Sequence, residues 1–329
     1  MLKIGNLELP FSCMLAPLAG ISDLPFRLLN RSFGCGFAFT EMISARALVY
    51  SNRNTLKMVA AHPEDTPLGA QLLSEDPEII RRSMDILRGL KPSLIDLNAA
   101  CPVSKVTKRG EGAGLLREPS KLRRVLKALV ENSHVPVTVK IRSGWDEQSV
   151  NAKEIALYAR EAGIHGLFIH GRTKVQGYRG GVDYDVIRQV KESLDIPVIA
   201  SGDALSPGLI KKMFDETGCD GIVIARGALG NPWIFGETAE FLRSCTVLDR
   251  PDAGGIADTM LKHLNLCVQF SGEKAGTITF RKFFAWYIKG LTGSRPLKEK
   301  AFRAASEAEM RAVIEETRTM KRRMEGYEL

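Results

Sequence analysis

Hydrophobic residues in the first 230 positions fall in short, nearly continuous runs separated by polar or glycine-rich stretches. The runs are Phe11–Pro17, Phe37–Glu41, Pro67–Leu72, Leu94–Asn98, Pro136–Arg142, Gly166–His170, Pro197–Asp203 and Asp220–Gly227. A strand buried on both faces reads as a continuous apolar run rather than an alternating one, so this pattern predicts a parallel sheet. Between the runs the apolar spacing turns helical. Ile79, Ile80, Met84 and Leu87 form one stripe behind Pro77, and Leu122, Val125, Leu126 and Leu129 form another behind Pro119 and Ser120. Further helices are predicted over 151–162, 183–193 and 206–217, and Ser22 and Asp23 can cap a helix entered at Pro25. Eight strands alternating with helices predict an α/β fold of the (β/α)8 TIM-barrel class. An open doubly wound sheet is the alternative, but no Gly-x-Gly-x-x-Gly turn follows the first strand, which argues against its dinucleotide-binding form.

The pattern changes near residue 240. Arg250–Gly255 reads as a linker or corner, and the apolar spacing beyond it is helical throughout. Met260, Leu264 and Cys267-Val268 make one stripe. Ile278, Phe280, Phe283, Phe284 and Tyr287 make a second, and Met310, Val313, Ile314, Thr317 and Met324 a third. Two domains are therefore expected: a barrel over 1–240 and a smaller all-α domain over 241–329.

Composition adds boundaries to this picture. No window approaches the roughly 18 uninterrupted apolar residues of a membrane span, and Met1–Glu8 lacks the apolar core of a signal peptide. The protein is expected to be cytoplasmic, with no membrane partner. The six cysteines (13, 35, 101, 219, 245, 267) are scattered singly with no Cys-x-x-Cys pair, which argues against disulfides and against a metal site. The net charge of +8 is concentrated: residues 274–329 hold 13 Lys/Arg against 7 Glu, a net of +6. Such charge runs are usually a solvated helix face. Here the excess is one-signed and interleaved with Phe, Trp and Tyr, which suits phosphate contact together with stacking on unpaired bases.

Reactive groups of a (β/α)8 barrel lie at the C-terminal ends of its strands. Gln71, Asn98, Cys101, Lys140, Arg142, His170, Ser201-Gly202-Asp203 and Ala225-Arg226-Gly227 collect there. Each has a plain structural explanation. Asn98 can cap a turn, Asp203 can cap a helix, Lys140 can pair with a carboxylate, and His170 and Cys101 can be core residues. Together they look like a ring aimed at an anionic, polar-edged ligand. The glycine turns after strands seven and eight lie where barrels bind phosphate on backbone N–H groups, and Arg226 adds a bidentate donor. A phosphorylated ring cofactor such as FMN and a phosphosugar substrate both suit those turns.

Five stretches resemble the tRNA-dihydrouridine synthase family: Ala16-Pro17-Leu18-Ala19-Gly20, Leu97-Asn98-Ala99-Ala100-Cys101-Pro102, Lys140-Ile141-Arg142-Ser143-Gly144-Trp145, His170-Gly171-Arg172-Thr173, and Ser201-Gly202-Asp203 with Ala225-Arg226-Gly227. The helical tail with Arg281-Lys282-Phe283-Phe284-Ala285-Trp286-Tyr287 resembles the bacterial B-type branch. Ala99-Ala100 and Ser201 depart from the residues commoner in the family. The resemblance implies bound FMN, NADPH as reductant and tRNA as substrate. It places Ala16, Pro17 and Leu18 along the flavin, and Gln71 and Lys140 at the flavin's ring edge. His170, Ser201, Gly202, Asp203, Ala225 and Arg226 would surround the ring, ribityl chain and phosphate. It makes Cys101 the catalytic acid and leaves Asn98, Lys105, Arg109, Arg142, Arg172, Arg281 and Lys282 to meet the RNA. A monomer without metal is expected.

The chemistry agrees with these roles. Hydride addition to uracil belongs at C6, the far end of the C5=C6 bond from the C4 carbonyl, and charge then gathers on C5 and O4. Cationic donors near O4 stabilise that charge, and a thiol, with pKa about 8.5, is protonated enough at neutral pH to supply C5. The rival is a flavoenzyme acting on a free pyrimidine, like dihydroorotate dehydrogenase. The basic tail distinguishes the two, because a small metabolite gives no reason for it.

Overall fold

The computed structural model describes residues 1–58 and 62–321, and it forms two compact units, one of residues 1–23 and 35–225, the other of 24–34 and 226–329. Met324 of the third expected stripe, and the charges at 322, 323, 325 and 328, lie outside the described residues.

The first unit is the expected barrel. Its strands are β1 (Cys13–Leu15), β2 (Ala38–Phe39), β3 (Leu68–Leu73), β4 (Leu94–Asn98), β5 (Val137–Arg142), β6 (Gly166–His170), β7 (Val198–Ser201) and β8 (Gly221–Ile224). Each is parallel to its neighbour, β8 pairs with β1 through Ile222 and Cys13, and β2 pairs with β3 through Ala38 and Leu68, which closes the ring. An additional two-residue strand, Ile43–Ser44, lies along β3. The strands are buried on both faces almost without exception, which is why they read as continuous runs.

Helix starts follow local chemistry. Asp76 accepts from the Glu78 and Ile79 amides (2.9 and 3.4 Å) ahead of Pro77, Asp183 accepts from Val186 (3.0 Å), and Ser206 from Leu209 (3.3 Å). Ser22 turns the other way: its hydroxyl accepts from the Leu18 amide (2.9 Å) and donates to the Leu18 carbonyl (3.2 Å), fixing the loop after β1.

The barrel interior is filled by Met14, Phe37, Phe39, Leu94, Phe168, Ile199 and Val223. Phe37, Phe39 and Phe168 meet edge to face at 5.1 and 5.3 Å. Gly69 is required beside them, since a Cβ there would stand 2.5 Å from the Phe39 ring. An N-terminal hairpin, Leu2–Ile4 paired with Leu7–Leu9, adds Leu2, Ile4 and Leu9 to this core. Ile4 and Leu2 crowd Gly166 and Gly221, the first residues of β6 and β8, so the hairpin plugs the N-terminal end of the barrel. The opposite end, where the strands finish, is left to the loops.

The second unit is helical: Leu24–Arg31, Ile234–Ser244, Ala253–Ser271, Glu273–Tyr287, Arg295–Arg303 and Glu307–Glu316. The expected corner at 250–255 holds Asp252, which caps Ala253–Ser271 through the Gly255 amide (2.8 Å). Phe26 stacks on Phe283 at 5.4 Å, and His263 shares a hydrogen bond with the Tyr287 hydroxyl (3.1 Å). Burial drives the His263 pKa down to about 3, so this histidine is a neutral core residue. Phe280, Phe283, Phe284 and Tyr287 are buried as expected, but Ile278 is exposed. It lies two residues before Phe280, roughly 200° around the helix, and so falls outside the core stripe.

Candidate active site

Strand register brings the polar strand ends level. Gln71 lies opposite Asp96, Asn98 opposite Lys140, and Arg142 and Ser201 both opposite His170. The loop after β4 begins with an Asx turn: Asn98 Oδ1 accepts from the amides of Ala100 (3.0 Å) and Cys101 (2.8 Å). The Cys101 carbonyl accepts from the Ala113 amide at 3.0 Å, which draws the glycine-rich turn across the cysteine. Gly112 makes that approach possible. It has φ +58°, and a Cβ on it would stand 2.8 Å from the Cys101 carbonyl oxygen and 2.9 Å from Val106 Cγ1. The half-buried thiol has its pKa raised, chiefly by burial and also by the charge of Glu111, against the opposing pull of the Val103 backbone and Arg142. Cys101 is therefore a protonated thiol at neutral pH.

Behind the loop runs a buried polar chain. Asn98 Nδ2 donates to Gln71 Oε1 (2.7 Å), Gln71 Nε2 donates to Asp96 Oδ2 (2.8 Å), and Thr138 Oγ1 donates to Asp96 Oδ1 (2.7 Å). Asp96 was not among the expected site residues. Its pKa is raised to about 6 by burial, although Gln71, Thr138 and the charge of Lys140 all act to lower it. One signal was available: an aspartate in the middle of Leu94-Ile95-Asp96-Leu97-Asn98 needs a partner, because a strand interior leaves no unpaired charge. Lys140 Nζ donates to Ser201 Oγ (3.1 Å). Burial, then the charge of Arg142, bring the lysine down to about 8, with Asp96 opposing.

The arginines expected to meet substrate sit deep in the protein. Arg142 and Arg172 are each 2% exposed. Arg142 donates to the carbonyls of Ala100 (2.8 Å), Thr173 (3.0 Å) and Gly177 (3.1 Å), tying the cysteine loop to the loop after β6. Arg172 pairs with the Asp203 carboxylate and donates to the Gly180 carbonyl (2.6 Å). Asn98 is likewise occupied at both ends of its amide.

His170 is buried, with its ring 6.3 Å from that of Tyr178. Gly202, at φ +122°, leaves room for it, since a Cβ there would meet the imidazole at 2.9 Å. Asp203 follows at φ +47°. The Ala16 amide donates to the Ile224 carbonyl (2.9 Å), so Ala16-Pro17-Leu18 leaves β1 alongside β8. Ala225 ends that region half-buried, and Arg226 is exposed on a 3-10 turn, Arg226–Ala228. Lys105 is exposed, and exposed Arg109 pairs with Glu111 (2.8 Å). In the helical unit, Arg281 donates to the Ala304 carbonyl (2.6 Å) and Lys282 lies 4.8 Å from the Phe283 ring centroid. The structure thus joins Gln71, Asn98, Cys101, Lys140, Arg142 and Ser201 around the barrel mouth, while Arg281 and Lys282 belong to the other unit. Among the described residues no cluster of metal-ligating side chains occurs, and no helix is long and apolar enough to cross a membrane.

The family model for dihydrouridine synthase matches residues 14–325. The chain is 38% identical over 288 residues to tRNA-dihydrouridine synthase B of Vibrio parahaemolyticus, covering 88% of this chain and 89% of that protein. It is 37% identical over 295 residues to a probable tRNA-dihydrouridine synthase of Rickettsia conorii, covering 89% of each. Among solved structures it is similar in fold to morphinone reductase, with TM-score 0.52 and 16% identity over 78% of this chain and 91% of that one. Histamine dehydrogenase from Rhizobium sp. 4-9 is also similar, with TM-score 0.58 and 12% identity over 80% of this chain and 50% of that one.

Proposed function

The chain belongs to the dihydrouridine synthase family, and from that premise we propose that it reduces the C5=C6 bond of uridines in tRNA, with bound FMN and with NADPH as the external reductant. The observation that carries the reading is Cys101, a protonated thiol held by Asn98 and Ala113 in the loop that follows β4, whose last residue, Asn98, is level with Lys140 on β5.

The barrel mouth fits FMN. Gly202 and Asp203 leave β7 in the left-handed region, and Gly202 has no side chain to hold a ligand away from its backbone. Lys140, the Gln71 amide and His170 form a donor set suited to the carbonyl edge of a flavin ring. Ala16, Pro17 and Leu18 would flank the ring. Ser201, Gly202, Asp203 and Ala225, with Arg226 next in the chain, would hold the ribityl chain and phosphate. When bound, FMN supplies the hydride that adds to C6 of the uracil.

The protein supplies the rest. Cys101 gives its proton to C5 and regains one from solvent, so that hydride and proton together saturate the bond. Lys140, which at a pKa of about 8 is mainly charged at pH 7, stabilises negative charge on the neighbouring ring edge. Arg142 acts through position: its bond to the Ala100 carbonyl sets the height of the cysteine loop. Lys105 and Arg109 face the RNA. A uridine flipped out of a folded RNA costs a few kcal/mol, and we assign the C-terminal domain, residues 241–329, including Arg281 and Lys282, to contacts that offset it. Mapping dihydrouridine in tRNA from a strain lacking this protein tests the reading. Loss at a defined position supports it, and an unchanged set of dihydrouridines contradicts it.

A further inference from the structure

Many cations on the outer helices of the barrel unit are paired with carboxylates. Arg160 binds Asp195 (2.7 Å), Lys191 binds Asp220 (2.7 Å), and Lys211 and Lys212 bind Asp215 and Glu216 four residues on (2.7 and 3.7 Å). The loops that follow β4 and β6 hold paired cations too, Arg109 with Glu111 and Arg172 with Asp203, but also a group that is not paired. Arg117, Lys174, Lys105, Lys108 and Arg179 have no carboxylate partner among the described residues. Arg117 and Lys174 share one aromatic ring instead. The Arg117 guanidinium lies 4.8 Å from the Trp145 ring centroid and the Lys174 ammonium 4.4 Å from the same centroid. The seat is built by backbone: the Lys174 amide donates to the Gly144 carbonyl (2.9 Å) and the Val175 amide to the Trp145 carbonyl (3.0 Å).

The arrangement has a cost. Two like charges within about 10 Å of each other repel at a separation comparable to the Debye length, and neither makes an ion pair among the described residues. Cation–π contact holds the cations in place without neutralising them. A pair of positive charges without ion-pair partners, held on one ring, is complementary to closely spaced negative charges, as along a nucleic-acid backbone. All three residues stand in loops after strand C-termini, and so on the same face as Cys101.

We propose that Arg117 and Lys174, seated on Trp145, form an RNA-phosphate clamp on the barrel unit itself, with Lys105, Lys108 and Arg179 extending it. The clamp grips the backbone flanking the target nucleotide. This deepens the proposed function and rests on tRNA being the substrate.

The test is tRNA binding by the full-length, FMN-loaded protein as a function of salt. Reversing both charges (Arg117→Glu with Lys174→Glu) should weaken binding on the order of tenfold near 0.15 M salt and reduce the slope of log K against log salt by about 1.5 to 2. The milder pair, Arg117→Gln with Lys174→Gln, should lower the slope by a similar amount while flavin absorbance and melting temperature stay unchanged. Arg124→Glu, an exposed cation on the outer helix Pro119–Asn132, should leave both affinity and slope as they are. If the wild type binds tRNA in a salt-dependent way and both double variants keep its affinity and slope, the clamp is refuted and the proposed function stands. If the wild type shows no salt-dependent tRNA binding, the proposed function itself fails.

Discussion

Replacing Gly112 with alanine should disable the enzyme without touching a reactive group. The backbone at 112 has φ +58°, where a side chain costs roughly 1–2 kcal/mol. The new methyl would also stand 2.8 Å from the Cys101 carbonyl oxygen, 2.9 Å from Val106 Cγ1 and 3.0 Å from Cys101 Cβ. Two of these contacts are with the cysteine's own backbone and Cβ, so the clash is relieved by moving the loop. Overpacking of this kind costs about 1–3 kcal/mol. Together the two effects destabilise the fold by roughly 2–5 kcal/mol, which for a domain of about 200 residues lowers the melting temperature by about 4–20 °C. The displacement threatens the 3.0 Å bond from Ala113 to the Cys101 carbonyl and with it the position of the thiol. A misplacement of about 1 Å can reduce turnover by about 100-fold. The assays are thermal unfolding, dihydrouridine formation under saturating tRNA, and alkylation of Cys101 in a Cys245→Ser background, which removes the exposed cysteine. Turnover and melting temperature both equal to those of the unsubstituted protein would refute the claim that this glycine seats the cysteine.

Asp96 should show itself in the pH dependence of stability. Its pKa is raised from 3.8 to about 6, so between about pH 4 and 6 the native state keeps a proton that the unfolded chain has released. Stability from this group therefore falls as pH rises through that window, by up to about 3 kcal/mol. Asp96→Asn should flatten that segment of a urea-unfolding series, and an unaltered pH profile would contradict the Asp96 assignment; it should also lower the Lys140 pKa further by removing the charge that raises it. The basic tail is best tested by substitution, because deleting 241–329 would strip Phe283 from Phe26 within one compact unit. Reversing Lys289, Arg295 and Lys298, which line a groove of about 620 Å³ beside exposed Phe302, should weaken tRNA binding and lower its salt slope while leaving flavin binding intact. Unchanged tRNA affinity would remove this surface from the RNA interface.

The barrel was legible because its strands are buried on both faces, and short apolar runs ending in Asn98, Arg142 or His170 carry both their identity and their chemistry. The N-terminal hairpin was not. Leu2, Ile4, Leu7 and Leu9 alternate correctly, but two strands of three residues are too short to stand out, and their role as a plug depends on glycines at 166 and 221 far along the chain. The helix Leu24–Arg31 reads as an ordinary barrel helix, and nothing local shows that its Phe26 stacks on Phe283. At the site, residue types were readable but their partners were not. Asn98, Arg142 and Arg172 have the chemistry of substrate contacts. The structure engages them with Cys101, Ala100 and Asp203 instead, because a loop that must hold a thiol still needs its own polar groups satisfied. Asp96 was hidden for the opposite reason: it lies inside an apolar run, where periodicity draws attention to its neighbours.

The central claim is that Cys101 delivers a proton to a uracil held at the barrel mouth. Purified Cys101→Ala, loaded with FMN and given NADPH and unmodified tRNA, tests it directly by mass-spectrometric detection of dihydrouridine. The variant should retain its flavin absorbance and its affinity for tRNA, yet form dihydrouridine far more slowly than the unsubstituted protein. Dihydrouridine formed at the unsubstituted rate would show that the proton comes from elsewhere.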